Sequence, residues 1–136
     1  MPQVLARGDT LDELNRRHAQ RPLAQPVFVN SVPKCGTHLL RNILRMFVPV
    51  EQQYHAAFIQ FPILRAHLAA FDRKRPWLSW GHLLFSDDSA IALDGVRHAL
   101  LVRDPYDWVL ARARFFLSDT FRGNVEHLKG GRASIE

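Results

Sequence analysis

The chain has little cysteine, no leader-like N-terminus and no long hydrophobic run, and each shortage excludes a class of protein. A single cysteine, Cys35, cannot form an internal disulfide or supply the thiolates of a structural zinc site. The first residues, MPQVLARGDT, do not follow a charged-then-apolar signal pattern. No apolar stretch approaches the roughly 18 residues that cross a bilayer. We therefore expect a cytoplasmic chain that binds neither a membrane nor a metal.

Basic residues outnumber acidic ones, and most of them are arginine. The 136 residues include 18 Lys and Arg against 13 Asp and Glu, which gives a formal charge of +5. Guanidinium groups bind oxyanions in a bidentate way, which favours phosphate- or sulfate-bearing ligands. The arginines are scattered, so we expect no nucleic-acid partner. With 47% hydrophobic residues, the chain is expected to bury one core.

Strand and helix signals alternate along the chain, which predicts an α/β fold with a parallel sheet. Thr10 and Glu13 form a capping-box pattern, and Asp104 with Pro105 forms an N-cap and first-turn pair. The continuous apolar character of residues 98–102 predicts a buried strand. The predicted elements are a helix over 11–20, strands over 27–31, 77–83 and 98–102, a turn or short helix over 87–94, and a helix from 105 to about 117.

A further helix is predicted after the first strand. Its apolar residues recur at helical spacing, Arg41, Asn42 and Arg45 lie on the other face, and Pro49 ends it. Residues 51–75 contain a second helical stripe and are predicted to form helical cover. The apolar stripe of the first of these helices consists of Leu39, Leu40, Ile43, Leu44, Phe47 and Val48.

The turn between the first strand and its helix predicts an anion site. It reads PKCGTHLL over residues 33–40. Gly36 allows the backbone to approach an anion, and the amides at the start of the helix point at it. Lys34 adds a full positive charge at the same place. In parallel α/β sheets, ligands bind at the carboxyl ends of the strands, where Arg103 also lies.

Three segments together resemble the sulfotransferases that use 3′-phosphoadenosine 5′-phosphosulfate as the donor. The 5′-phosphosulfate loop of that family resembles VFVNSVPKCGTHLL, and its 3′-phosphate segment resembles HALLVRDPYDWVLARARFF. Between them, SWGHL is similar to the strand that carries the family's catalytic histidine. The resemblance covers residues 24–120 and implies a P-loop-like parallel sheet flanked by helices. Residues 1–23 would form an N-terminal helical segment, and residues 121–136 a polar tail.

The resemblance implies sulfuryl transfer to a hydroxyl or amine of a small-molecule or carbohydrate acceptor. Lys34 would stabilise the negative charge that grows on the bridging oxygen. His82 would act as the general base, and Arg103 would bind the 3′-phosphate. The positions implied to bind the donor nucleotide are Pro33, Lys34, Cys35, Gly36, Thr37, His38, Arg103 and Ala111, with the Thr37 hydroxyl as a donor to the 5′-phosphate.

Two departures from the family pattern affect the 3′-phosphate end. Ala111 stands where the family usually has a serine that binds this phosphate, and such a hydrogen bond contributes about 1.5 to 3 kcal/mol. Arg112 or Arg114 would have to compensate. The family's closing loop has no counterpart in residues 121–136, so we expect a fold that is incomplete at the C-terminus, as in an N-terminal portion or a truncated member. An oligomer could complete it.

Three alternatives compete with this interpretation. A nucleoside-triphosphate hydrolase is disfavoured because Lys34 precedes Gly36. Cys35 and Arg41 have the spacing of a cysteine phosphatase, but that resemblance requires a histidine and a glycine where Lys34 and His38 stand. A non-catalytic module of the same fold, which binds an anionic nucleotide or a partner, stays open. It would bind 3′-phosphoadenosine 5′-phosphate and transfer nothing.

Overall fold

A four-stranded parallel sheet lies at the centre of the structure, a computed structural model that describes residues 10–83 and 86–118. The strands are β1 (Val27–Ser31), β2 (Ile59–Gln60), β3 (Leu78–His82) and β4 (Arg97–Leu101). Their order in the sheet is β2-β3-β1-β4, and every neighbouring pair is parallel. The predicted α/β class with a parallel sheet is confirmed.

Helices connect the strands. They are α1 (Leu11–Asn15), α2 (Thr37–Arg45), α3 (Asp87–Ala92) and α4 (Pro105–Leu117), together with 3₁₀ helices at Val50–Gln52 and Phe61–Phe71. The start of α4 confirms the predicted cap, because the Asp104 carboxylate accepts hydrogen bonds from the amides of Tyr106 and Asp107. None of the helices in the described ranges is long and apolar enough to span a bilayer.

The central strand β1 places apolar side chains on both faces of the sheet, because successive side chains of a strand point in opposite directions. Phe28 and Val29 are both fully buried, in different clusters. Burial of such a side chain contributes about 1.5 to 3 kcal/mol. One cluster contains Phe28, Ile59, Leu64, Ala70, Phe71, Leu83 and Leu93, and the other contains Val29, Val48, Leu78 and Trp80.

The strand predicted over 98–102 is present as β4, but the prediction that it is buried is wrong. It pairs with β1 alone and forms one edge of the sheet. Leu100 is 55% exposed, and Val102, just beyond the strand, is 60% exposed. Apolar character predicted the strand correctly, whereas burial depends on a covering layer that the described residues do not provide on this side.

The apolar stripe predicted for α2 packs only in part, and its polar face is partly buried. Leu40 and Leu44 pack on the cluster around Trp80, whereas Leu39 is 67% exposed. Arg45, predicted on the face opposite the apolar stripe, is buried because α1 lies against it and Asp12 forms an ion pair with its guanidinium at 2.6 Å. The helix ends at Arg45, before Pro49.

Two other predicted helices differ from the observed segments. The helix predicted over 11–20 ends at Asn15, whose buried side chain donates to the Arg45 carbonyl oxygen. Residues 51–75, predicted as helical cover, contain 3₁₀ rather than α-helix and also the strand β2, which was not predicted. His67 has a non-helical backbone within the longer 3₁₀ helix. The His67 imidazole is hydrogen-bonded to the Tyr54 hydroxyl at 2.9 Å. The predicted polar tail lies outside the described residues.

Candidate functional site

The loop between β1 and α2 contains two residues with a left-handed backbone. Lys34 and Gly36 both have positive φ angles, 71° and 98°. A left-handed conformation costs a non-glycine residue about 1 to 2 kcal/mol, so Lys34 is strained. Backbone strain of this kind clusters at functional sites, and alternating backbone conformations turn successive amides towards one point. The amides of the first turn of α2 follow directly.

Helix α4 holds this loop in place. The Trp108 indole nitrogen donates a hydrogen bond to the Pro33 carbonyl oxygen at 2.8 Å. At the base of the loop, the Val32 amide donates to the Leu101 carbonyl oxygen at 3.1 Å. The loop after β1 and the loop after β4 are therefore fixed side by side at the carboxyl edge of the sheet.

The Lys34 side chain lies on an aromatic ring of α4. Its ammonium nitrogen is 3.3 Å from the centroid of the Phe115 ring, a cation–π contact. Such contacts contribute about 0.5 to 2 kcal/mol, depending on desolvation. The charge of Lys34 is thus held close to the loop by α4, and Lys34 itself remains exposed.

Thr37 is buried and bonded within the protein. Its hydroxyl lies 2.7 Å from the Ser31 hydroxyl, and only 6% of the residue is exposed. Ser31 Oγ in turn lies 3.2 Å from His82 Nδ1. The first residue of α2 is thereby linked through Ser31 to the end of β3.

The His82 imidazole has a defined orientation at the end of β3. Its Nδ1 lies 2.6 Å from the Ser31 carbonyl oxygen. Because a carbonyl oxygen only accepts, Nδ1 carries the proton and donates, and Nε2 of the neutral ring keeps its lone pair. The ring also packs edge-on against Phe58, at 4.7 Å between centroids. This is the tautomer that a general base acting through Nε2 requires.

Burial lowers the pKa of His82 below its ordinary value of 6.5, and the charges of His38 and Lys34 act in the same direction. The carbonyl groups of Ser31 and Gly81 oppose this, since they accept hydrogen bonds from the ring. The net direction is downward because removal from water disfavours the charged form. His82 is therefore a neutral proton acceptor at pH 7.

The backbone on either side of His82 is fixed by neighbouring strands. The buried side chain of Asn30 makes both bonds on one side. Its Nδ2 donates to the Leu83 carbonyl oxygen and its Oδ1 accepts from the Leu83 backbone amide, both at 3.0 Å. On the other side, a Cβ atom on Gly81 would lie 1.9 Å from the carbonyl oxygen of Ile59. Only glycine allows β2 to approach β3 this closely.

A cleft of about 720 Å³ opens beside His82. That volume is in the range of small-molecule sites. Its walls come from all four strands of the sheet, from the 3₁₀ helix that begins at Phe61, and from α4. The lining residues are Asn30, Ser31, Val32, Pro33, Gln60, Phe61, Pro62, His82, Leu83, Leu100, Trp108 and Arg112.

The predicted site residues do not all meet in this cleft. Pro33 and His82 line it, and residues 34–38 continue from Pro33. Arg103 is outside it, and its guanidinium lies 3.5 Å from the Asp107 carboxylate, with 43% of the side chain exposed. Ala111 is half-buried on α4, one turn beyond Asp107. Arg103, which precedes α4, therefore pairs with the stripe of α4 that contains Asp107 and Ala111, beside the cleft rather than in it.

Several residues that shape the site were missed or given no role in the sequence analysis. Asn30 and Ser31 hold His82, and Trp108 holds the loop. A usable signal was present for Asn30 and Ser31, because a polar pair at the carboxyl end of a buried strand is unusual unless it has partners. Trp108 carried no such signal, since its partner is 75 positions away.

The described residues contain no cluster of three or more His, Cys, Asp or Glu side chains that could hold a metal ion. No protein-family model, curated protein or solved structure matches the chain.

Proposed function

We propose that the protein is a sulfotransferase with a P-loop-like site, which transfers a sulfuryl group from 3′-phosphoadenosine 5′-phosphosulfate to a hydroxyl or amine acceptor. The observation that carries the proposal is the position of a neutral histidine beside a loop with two left-handed residues, one of them a lysine, on the same sheet edge. Ser31 links the two, since its carbonyl oxygen accepts from His82 and its hydroxyl contacts Thr37.

The donor end of the proposed site is the loop over residues 33–38. Lys34 and Gly36 both have a left-handed backbone. The space beside Gly36 is open, since a Cβ there would have no neighbour within 4 Å, and this leaves room for an anion. The amides of the first turn of α2 would bind the 5′-phosphosulfate, and Lys34 would leave Phe115 to neutralise the developing charge. The donor supplies a sulfuryl group on an activated phosphate.

At the acceptor end, His82 Nε2 takes the proton of the attacking hydroxyl. The new bond joins the acceptor oxygen to sulfur, the bond from sulfur to the bridging oxygen breaks, and 3′-phosphoadenosine 5′-phosphate leaves. General base catalysis of this kind contributes about 10² to 10⁴-fold in rate. Arg103 is proposed to exchange Asp107 for the 3′-phosphate, because a bidentate phosphate contact is stronger than an exposed ion pair.

A non-catalytic nucleotide-binding module is the second candidate. It is favoured by the exposed position of Arg103 outside the cleft and by the small size of the described sheet. This candidate predicts nucleotide binding without transfer.

Calorimetry with 3′-phosphoadenosine 5′-phosphate tests the donor site. We expect the wild type to bind this nucleotide and Lys34→Ala to bind it about 10 to 100-fold more weakly, because a charge-assisted contact is lost. Lys74→Ala, which removes an exposed lysine away from the loop, is the matched control and should bind normally. Absence of binding heat with the wild type well above micromolar concentrations would contradict the proposal.

A transfer assay with the sulfated donor separates the two candidates. His82→Ala is expected to retain nucleotide affinity and lose transfer by at least about 100-fold. A wild type that binds the nucleotide and transfers to no hydroxyl or amine acceptor would identify the binding module instead.

A further inference from the structure

We propose that the acceptor is an amphipathic molecule that presents its hydroxyl to His82 and an anionic group, of the carboxylate class, to Arg112. This inference rests on the proposed function and names the substrate class of the same site. It follows from the composition of the cleft wall, from the environment of Arg112 and from the position of Arg112 on α4.

The cleft wall is largely apolar. Phe61, Pro62, Leu83, Leu100 and Trp108 line it together with a smaller number of polar groups. Arg112 is the charged side chain that lines it. An occupant of about 720 Å³ must therefore have an apolar body and one group that satisfies a guanidinium.

Arg112 is preorganised for such a group. Its guanidinium carbon is 5.2 Å from the Trp108 ring centroid and 4.7 Å from that of Phe116. Within residues 10–83 and 86–118, no carboxylate forms an ion pair with Arg112. A cation stacked between rings and lacking a counter-ion attracts an anion most strongly where apolar walls lower the local dielectric.

The position of Arg112 on α4 separates it from the proposed 3′-phosphate end. Residues four apart share a helix face, so Asp107 and Ala111 form one stripe and Trp108 and Arg112 form the next. Arg103 is paired with the first stripe, whereas the second lines the cleft with His82. Arg112 also lies four residues, about 6 Å along the helix axis, beyond the tryptophan that contacts Pro33. We therefore assign Arg112 to binding of the acceptor and not of the nucleotide.

The test compares two acceptor probes that differ only in charge, 3-(4-hydroxyphenyl)propanoate and its carboxamide. Calorimetry on the full chain without nucleotide measures binding, and the transfer assay measures kcat/KM. We expect the wild type to bind the carboxylate at least 10-fold more tightly and to use it with a correspondingly higher kcat/KM. In Arg112→Gln the preference should fall to about onefold, while the affinities for the carboxamide and for 3′-phosphoadenosine 5′-phosphate change less than twofold. Arg112→Lys should retain part of the preference.

The inference is overturned if the wild type binds both probes equally or binds neither, or if Arg112→Gln keeps the preference. It is also overturned if Arg112→Gln loses affinity for the nucleotide, since Arg112 would then serve the donor. Failure of the proposed function has a different signature. The wild type would then show the charge preference in binding but would neither bind the nucleotide nor transfer the sulfuryl group.

Discussion

At the scale of single residues, the site depends on the two polar residues with which β1 ends. Asn30 hydrogen-bonds the backbone of Leu83 in both directions, and Ser31 accepts from the imidazole of His82. Both are nearly completely buried, so an unsatisfied group at either position would cost about 1 to 3 kcal/mol. Asn30 and Ser31 thus fix the positions of Leu83 and His82, and the protonation state of His82 is what changes with pH.

The lowered pKa of His82 predicts how the ring titrates. NMR of the folded protein should give a midpoint below 6.5 with the proton on Nδ1, because burial disfavours the imidazolium. In urea the pKa of the same ring should return to about 6.5. The unfolded chain then binds the proton first, so His82 reduces the free energy of unfolding as the pH falls through 6.5 towards the folded midpoint.

His82→Gln identifies the resonance and should remove this part of the pH dependence of unfolding. A folded-state midpoint at or above 6.5 would contradict the conclusion that partial burial keeps the His82 ring neutral.

At the scale of elements, two glycines serve different purposes in strand and loop. Gly81 lets β2 lie against β3, where a Cβ would overlap the Ile59 carbonyl oxygen. Gly36 gives the chain the left-handed conformation from which α2 starts, with open space around it. The first requirement is steric and the second is torsional.

Substitution of each glycine by alanine should separate these requirements. Gly81→Ala is expected to destabilise the protein by about 3 kcal/mol or more, because backbone must move to relieve the overlap. Gly36→Ala is expected to cost only about 1 to 2 kcal/mol, the torsional penalty of the left-handed conformation. Urea denaturation followed by circular dichroism measures both. Equal costs would show that β2 does not approach β3 as described.

Elements with strong local signals could be predicted from the sequence, and long-range relations could not. β1, β3 and α4 have apolar runs, flanking prolines or a capping aspartate that act within a few residues. The hydrogen bond from His82 to Ser31 joins residues 51 positions apart, and the ion pair from Arg45 to Asp12 joins residues 33 positions apart. Both depend on how strands and helices pack, which hydrophobic periodicity alone does not encode.

At the scale of the whole molecule, the sheet is covered unevenly. β1 and β3 are buried, whereas β4 and the adjoining part of α4 expose apolar side chains that include Leu100, Val102, Val109 and Leu110. An apolar side chain on the β3 side of β1 therefore contributes more to the free energy of unfolding than one on the β4 side. The oligomer that the sequence analysis allowed stays a prediction.

The isosteric substitutions Val102→Thr and Val29→Thr measure this difference. Val29 is 1% exposed, so its replacement should cost about 1 to 3 kcal/mol for the buried hydroxyl. Val102 is 60% exposed, so its replacement should change the free energy of unfolding by less than about 0.5 kcal/mol. Urea denaturation, with sedimentation at several concentrations, checks both. A comparable cost at Val102 would show that the edge of the sheet is covered in solution.

The continuity of β1 with the loop over residues 33–38 has a consequence for how the site tolerates change. Asn30 and Ser31 anchor the end of β3, and two residues later the same chain begins the loop over residues 33–38. The separation between His82 and this loop is therefore set by strand register and not by any connecting segment. Residues 72–76 precede β3 at the end of the strand opposite His82, and they do not line the cleft. A longer connection at residues 72–76 should therefore leave the spacing of His82 and the loop unchanged, so chain length can vary there without altering the candidate site.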